Sequence, residues 1–212
     1  MRYPAILLLC VFALSSCTTP AKPSTPEIVS VYSTSAAQPW LTELYDCAAQ
    51  QTNVVLSRMD DSTSAEIVLR IGEPEHLSTP AYQIATEEIL IVTHRQSPIQ
   101  NLNIEGVRAL FMGLGDPSVQ VWIYASEEDV FRVFDHFVME GISVTSSARV
   151  AVNPQQMSDT LVNESNAVGI LPRHWKVGDV RDVFSVATVP VLAITKTEAQ
   201  GVVKELLACL QK

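Results

Sequence analysis

Thr86-Glu87-Glu88-Ile89-Leu90-Ile91-Val92-Thr93-His94 runs through Gln96-Ser97-Pro98 into Leu102-Asn103-Ile104-Glu105-Gly106-Val107-Arg108-Ala109-Leu110-Phe111-Met112-Gly113. Its first part closes a long extended stretch, Tyr82 to His94, whose apolar members Ile84, Ile89, Ile91 and Val92 are β-formers. A proline turn follows, since Pro98 has no backbone N–H to donate to a ladder. From Ile104 to Met112 the apolar residues recur at helical spacing, and Gly113 supplies the stop. The middle of the chain therefore reads as strand, turn, helix.

Outward from this centre the alternation continues. Upstream, Glu27 to Tyr32 predicts a strand, and Ser33-Thr34-Ser35 offers capping hydroxyls to a helix over 36–51. Asn53 to Arg58 predicts a second strand. Glu66 to Gly72 predicts a third, closed by Gly72 and Pro74. Downstream, Val119 to Ala125 predicts a strand. Ser126-Glu127-Glu128-Asp129 then opens a helix with a hydroxyl and three acids where its dipole favours them. Ala148 to Val152 is the next strand, and Asn153-Pro154 starts the next helix with a cap and a proline at its first position. Strands over 167–171 and 187–195 precede a final helix over 198–210. Such β–α alternation predicts an α/β fold of parallel sheets with crossover helices. There is no fixed-period repeat.

The central stretch resembles the hinge and second-lobe entry of phosphate-type ABC-transporter solute-binding proteins. Ala167-Val168-Gly169-Ile170-Leu171-Pro172 resembles that family's return strand, and Val189-Pro190-Val191-Leu192-Ala193-Ile194 the strand leading back to the first lobe. The similarity is distributed over most of residues 27–210. It implies a two-lobed type II periplasmic-binding-protein-like fold with crossover strands between lobes. Lobe 1 would take residues 27–88 and 187–212, and lobe 2 residues 89–186.

The N-terminus carries a different signal. Met1 and Arg2 form a short positive region, and Pro4 to Leu14 an apolar run of eleven residues. That run suits a signal peptide and falls short of the ~20 residues of a spanning helix. Leu14-Ser15-Ser16-Cys17 resembles the bacterial lipobox, which implies cleavage after residue 16 and a diacylglycerol thioether, with palmitate-class acyl chains, on Cys17. Residues 17–26, rich in Pro, Ser and Thr, read as a lipidated tether. The expected location is the extracytoplasmic face of a membrane, periplasmic or extracellular.

Losing residues 1–16 removes one base and no acid, taking the formal net charge from −9 to −10. An acidic surface argues against nucleic acid and against a polybasic membrane-docking face. Of four cysteines, Cys10 leaves with the signal and Cys17 takes lipid, so Cys47 and Cys209 remain. Two thiols in an oxidising compartment either pair or stay separately buried. Each lies on a predicted helix. The resemblance puts both helices in lobe 1, which implies a Cys47–Cys209 disulfide.

In open α/β sheets ligands sit at the carboxyl ends of strands, where helix N-termini aim N–H groups outward. Ser33, Thr34 and Ser35 follow the first strand, Arg70 ends the third, and Tyr124 and Ser126 end a strand of the second half. Asn153 ends another. These seven are the candidate ligand residues, although the hydroxyls could serve only as caps. Arg70 is the best-placed cation for an anionic group, its alternative partners being Glu73 or Glu75. Trp122 and Tyr124 share a strand face that lines either the cleft or the core. The second-lobe turn departs from the family's arginine-containing cradle, and Glu127 and Glu128 would repel a multiply charged oxyanion there.

Catalytic signatures are missing from the sequence: no G-x-S-x-G, Walker loop, HExxH or GxGxxG. His76, His94, His136 and His174 are scattered without metal-ligand spacing, and Glu87-Glu88 reads as a solvated pair. No enzyme activity, cofactor or metal is expected. The expected partners are a small-molecule ligand, an ABC permease or other membrane protein, and the membrane through lipid. The alternative is an adaptor lipoprotein that reuses the fold without a ligand.

Overall fold

A computed structural model describes residues 25–212. The signal peptide, Cys17 and most of the tether lie outside the described residues. The elements run β1 (Glu27–Ser33), α1 (Gln38–Ala49), β2 (Val54–Arg58), β3 (Ile67–Ile71), β4 (Ala81–His94), α2 (Ile104–Phe111), β5 (Gln120–Ile123), α3 (Asp129–Phe134), β6 (Arg149–Val150), α4 (Pro154–Asn163), β7 (Ala167–Pro172), β8 (Val180–Thr195) and α5 (Gly201–Leu210). A π-helical turn, Asp135–Met139, extends α3, and a 3₁₀ turn, Arg173–Trp175, follows β7.

The fold is mixed α/β, built on one eight-stranded sheet in the order β2-β1-β3-β8-β4-β7-β5-β6. Strands β2, β1 and β3 run parallel, as do β7, β5 and β6. Between these two groups lie β8 and β4, antiparallel to each other and to their outer neighbours. The expected parallel sheet is thus found at both flanks and not at the centre. β4 and β8 pair from Ala81↔Ile194 to His94↔Val180, with register shifts at three places. Those shifts explain why β8 begins seven residues before the strand expected over 187–195. Each slip breaks the two-residue alternation by which a strand is read from sequence.

Burial follows the topology. Every residue of β7 is buried, as are Ile89 to Thr93 of β4, because both strands have neighbours on two edges and helices over a face. The edge strand β6 is only two residues long and exposed, where a longer strand over 148–152 was expected. Short edges limit stray pairing. No helix among the described residues is long and apolar enough to cross a membrane.

Helix α1 buries Trp40, Leu41, Leu44, Cys47 and Ala48, and α5 buries Leu206, Leu207 and Leu210. The two helices are joined by a Cys47–Cys209 disulfide, with Cα atoms 6.0 Å apart across 162 residues of sequence. Closing so long a loop restricts the unfolded chain, an effect worth about 2–5 kcal/mol. The double substitution Cys47→Ser/Cys209→Ser should lower the urea midpoint accordingly and make it insensitive to reductant. Equal midpoints for parent and variant would show that native strain cancels the loop effect.

Candidate functional site

The turns after β1, β5 and β6 converge at one side of the sheet, and the candidate residues divide there. Ser33, Ser35 and Asn153 line a recess of about 450 Å³ together with Arg58, Asp60, Glu128 and Trp175. The hydroxyls after β1 do not cap α1, whose N-cap is Ala37 without a side-chain bond. Ser33 Oγ instead donates to the Thr34 carbonyl at 3.0 Å, and Ser35 Oγ donates to Glu128 Oε2 at 2.7 Å. Asn153 does cap its helix, its Oδ1 accepting from the Gln156 N–H at 2.8 Å. That leaves its amide N–H₂ for a partner in the recess. Trp175 is pinned by its indole N–H, which donates to the Ala36 carbonyl at 2.9 Å.

Arg70 and Ser126 line a second, larger groove of about 850 Å³, on which Phe131, His136 and Val189 also border. Arg70 is not paired with Glu73 or Glu75. Its Nη2 donates to Asp129 Oδ1 at 2.6 Å, and the Ile71 N–H donates to Asp129 Oδ2 at 3.1 Å. Asp129 is 3% exposed and the Arg70 side chain 15%. Burial raises the Asp129 carboxyl pKa, and the Arg70 charge, the nearby Thr34 hydroxyl and the Ile71 N–H pull against it. The Thr34 hydroxyl is buried beside this carboxylate. Arg70 Nε is buried without a partner. Gly72, with φ +74°, turns the chain just after this pair, and a Cβ there would come within 3.0 Å of Val133.

Two expectations about the second half change. Helix α3 begins at Asp129 with Glu128 as N-cap, so Ser126 is not its cap and only Asp129 lies in its first turn. A tight turn, in which the Glu128 N–H donates to the Ala125 carbonyl, holds residues 125–128 outside the helix. Ser126 is exposed, and its Oγ lies 3.3 Å from Glu127 Oε2. Tyr124 is 1% exposed with its hydroxyl unpaired and lines neither recess. Burial, reinforced by the Glu128 charge, pushes its hydroxyl pKa well above the ordinary value. It is a core side chain, as is Trp122.

The Glu87-Glu88 pair also departs from its solvated reading. Glu87 is in phase with Ile89 and Ile91 on β4 and is 1% exposed. Its Oε2 lies 2.6 Å from His174 Nδ1, and the His174 ring rests 4.7 Å from Trp40. Glu88 accepts from Ser185 Oγ at 2.6 Å and pairs with Arg173 at 2.7 Å. Both acids thus tie the central strand to the 3₁₀ turn that carries Trp175. Among the described residues no group of three or more His, Cys, Asp or Glu side chains is arranged to hold a metal ion.

No protein-family model matches the sequence, and no curated protein matches it significantly. Solved structures do match. A phosphate-bound ABC-transporter substrate-binding protein from Clostridium perfringens superposes with a TM-score of 0.77 at 14% identity, over 87% of this chain and 93% of that one. An ABC-type phosphate transport receptor from Vibrio cholerae gives 0.64 at 19% identity, with the same coverages. The regulatory domain of CcmR from Synechocystis PCC6803, in complex with 2-PG, gives 0.65 at 10% identity, over 87% and 95%. At these identities the likeness is one of fold. The chain has the type II periplasmic-binding-protein-like architecture that its central stretch resembles.

The hydrogen bonds to Glu88, from Ser185 first and Arg173 second, hold its carboxyl below the ordinary value of 4.5. A depressed folded-state pKa stabilises the fold above the unfolded value, and that contribution is lost as pH falls through the folded one. Glu88→Gln should therefore lower the melting temperature at pH 7, with the gap to the parent narrowing progressively below about pH 4.5. A gap that stays constant down to pH 2 would show that the carboxylate's charge is not what these bonds use.

Proposed function

We propose that this chain is an extracytoplasmic solute-binding protein, anchored by lipid on Cys17, that takes a small polar ligand in the Ser33–Ser35–Asn153 recess and presents it to an ABC importer or membrane receptor. The recess carries the proposal. It brings together residues from the ends of β1 and β6, which belong to opposite parallel groups of the sheet. A ligand held there would bridge the two groups, which we read as lobes comprising residues 27–88 with 187–212 and residues 89–186. The fold shared with substrate-binding proteins supports the same role.

Charge narrows the ligand. Arg58 stands in the recess with Asp60 and Glu128, one base against two acids. A zwitterion can match both signs, whereas a multiply charged oxyanion would meet two like charges in a confined space. The acidic composition gives no support to a nucleic-acid partner. A second reading, an adaptor that binds no solute, is favoured by one observation: Arg70, the cation best placed for an anionic ligand, is already paired with Asp129.

Calorimetric titration with amino acids, small carboxylates and phosphate separates these readings. A zwitterion should bind and raise the melting temperature, stabilising the fold by about 2.7 kcal/mol at a hundredfold excess over Kd. Ser35→Ala should weaken that binding roughly fivefold, the worth of one hydrogen bond. Tight phosphate binding by the unaltered chain would overturn the charge argument, and no binding across the panel would favour the adaptor. The anchor is tested separately by metabolic labelling with a fatty-acid analogue, which Cys17→Ser should abolish. Label retained on that variant would refute lipidation at Cys17.

A further inference from the structure

We propose that the corner formed by Arg70 and the Ile71 N–H is an anion site whose resident anion is the chain's own Asp129, so that small oxyanions compete with this side chain for the corner. This corner borders the larger groove and lies apart from the Ser35 recess. Arg70 ends β3, in one parallel group, and Asp129 opens α3 after β5, in the other. The contact is thus made between the two groups, across 59 residues of sequence.

Its geometry is that of a bound anion. One carboxylate oxygen takes a guanidinium N–H and the other a backbone N–H, in surroundings that leave Asp129 almost without solvent. Charge-assisted bonds of this kind are about twice as strong as neutral ones. Yet the carboxylate underfills the corner. Arg70 Nε, buried in the same guanidinium, has no partner. A tetrahedral oxyanion has more acceptor oxygens than a carboxylate and would satisfy the donor that Asp129 leaves unused. What keeps it out is the tether. Asp129 is presented intramolecularly, at an effective concentration that a free anion in the millimolar range only matches. Glu128, the preceding residue, accepts from Ser35 in the same manner and strengthens the same closure.

The experiment is to remove the resident anion and supply a free one. Asp129→Ala should have a lower melting temperature than the parent, recovered in a saturable way by phosphate or acetate but not by chloride at matched ionic strength. By calorimetry the variant should bind phosphate at least tenfold more tightly than the parent. Arg70→Ala/Asp129→Ala should lose that gain while keeping any ligand of the Ser35 recess, so the two sites fail or succeed independently. A folded Asp129→Ala protein that ignores both anions would overturn the proposal, as would a parent that binds phosphate equally well. If Asp129→Ala is recovered unfolded, Asp129→Ser is refolded in acetate and in chloride. A higher yield in acetate supports the site, and equal yields overturn it.

Discussion

The antiparallel ribbon of β4 and β8 is the constraint on which the rest of the molecule depends. Each strand is bonded on both edges, β4 to β8 and β7, β8 to β4 and β3, so within the sheet the two parallel groups are joined only through this pair. The alignment of the ribbon sets how far the end of β3 lies from the end of β5. It therefore decides whether Arg70 can reach Asp129 and Ser35 can reach Glu128. A slip of one residue would turn the apolar face of β4 outward and carry Glu87 away from His174. The three register shifts along the ribbon give it local twist without breaking the pairing.

The junction of the two parallel groups is held by acids of the second half accepting from donors of the first. Glu128 takes the Ser35 hydroxyl, and Asp129 takes Arg70 and the Ile71 N–H. Burying such a pair is costly, since both ions lose water, and the gain over an apolar contact of the same shape is small. Its value lies in geometry: the bonds form only when the two strand ends face each other in one arrangement. The molecule shares its fold with a phosphate-bound substrate-binding protein and carries Asp60 and Glu128 beside Arg58 in its recess.

The central strand shows why polar residues inside a sheet need their own accounting. Glu87 sits among Ile89, Leu90 and Ile91 at almost zero exposure, which is tolerable only because its carboxylate is met by the His174 ring and the Glu88 N–H. His174 is in turn held against Trp40, and Trp175 donates to the Ala36 carbonyl just before α1. Through these contacts the 3₁₀ turn, the start of α1 and the middle of β4 form one connected unit bordering the recess.

Local chemistry was legible in the amino-acid sequence. The β-branched runs, the glycine stop at Gly113 and the Asn153-Pro154 helix start each depend on residues a few positions apart, and each appears in the fold at or near its expected place. So does the Cys47–Cys209 pairing, which the family resemblance implied by putting both helices in one lobe. What the sequence left open were the partners of charged side chains. Glu127-Glu128-Asp129 reads as a helix start, yet two of these acids face donors that lie 58 to 93 residues away. Glu87-Glu88 reads as a surface pair, and the length of β8 is hidden by its slips of register. Secondary structure answers to the period of the local chain, whereas a buried charge answers to whichever opposite charge or N–H the tertiary fold brings within about 3 Å. That distance is decided only when β4 and β8 align.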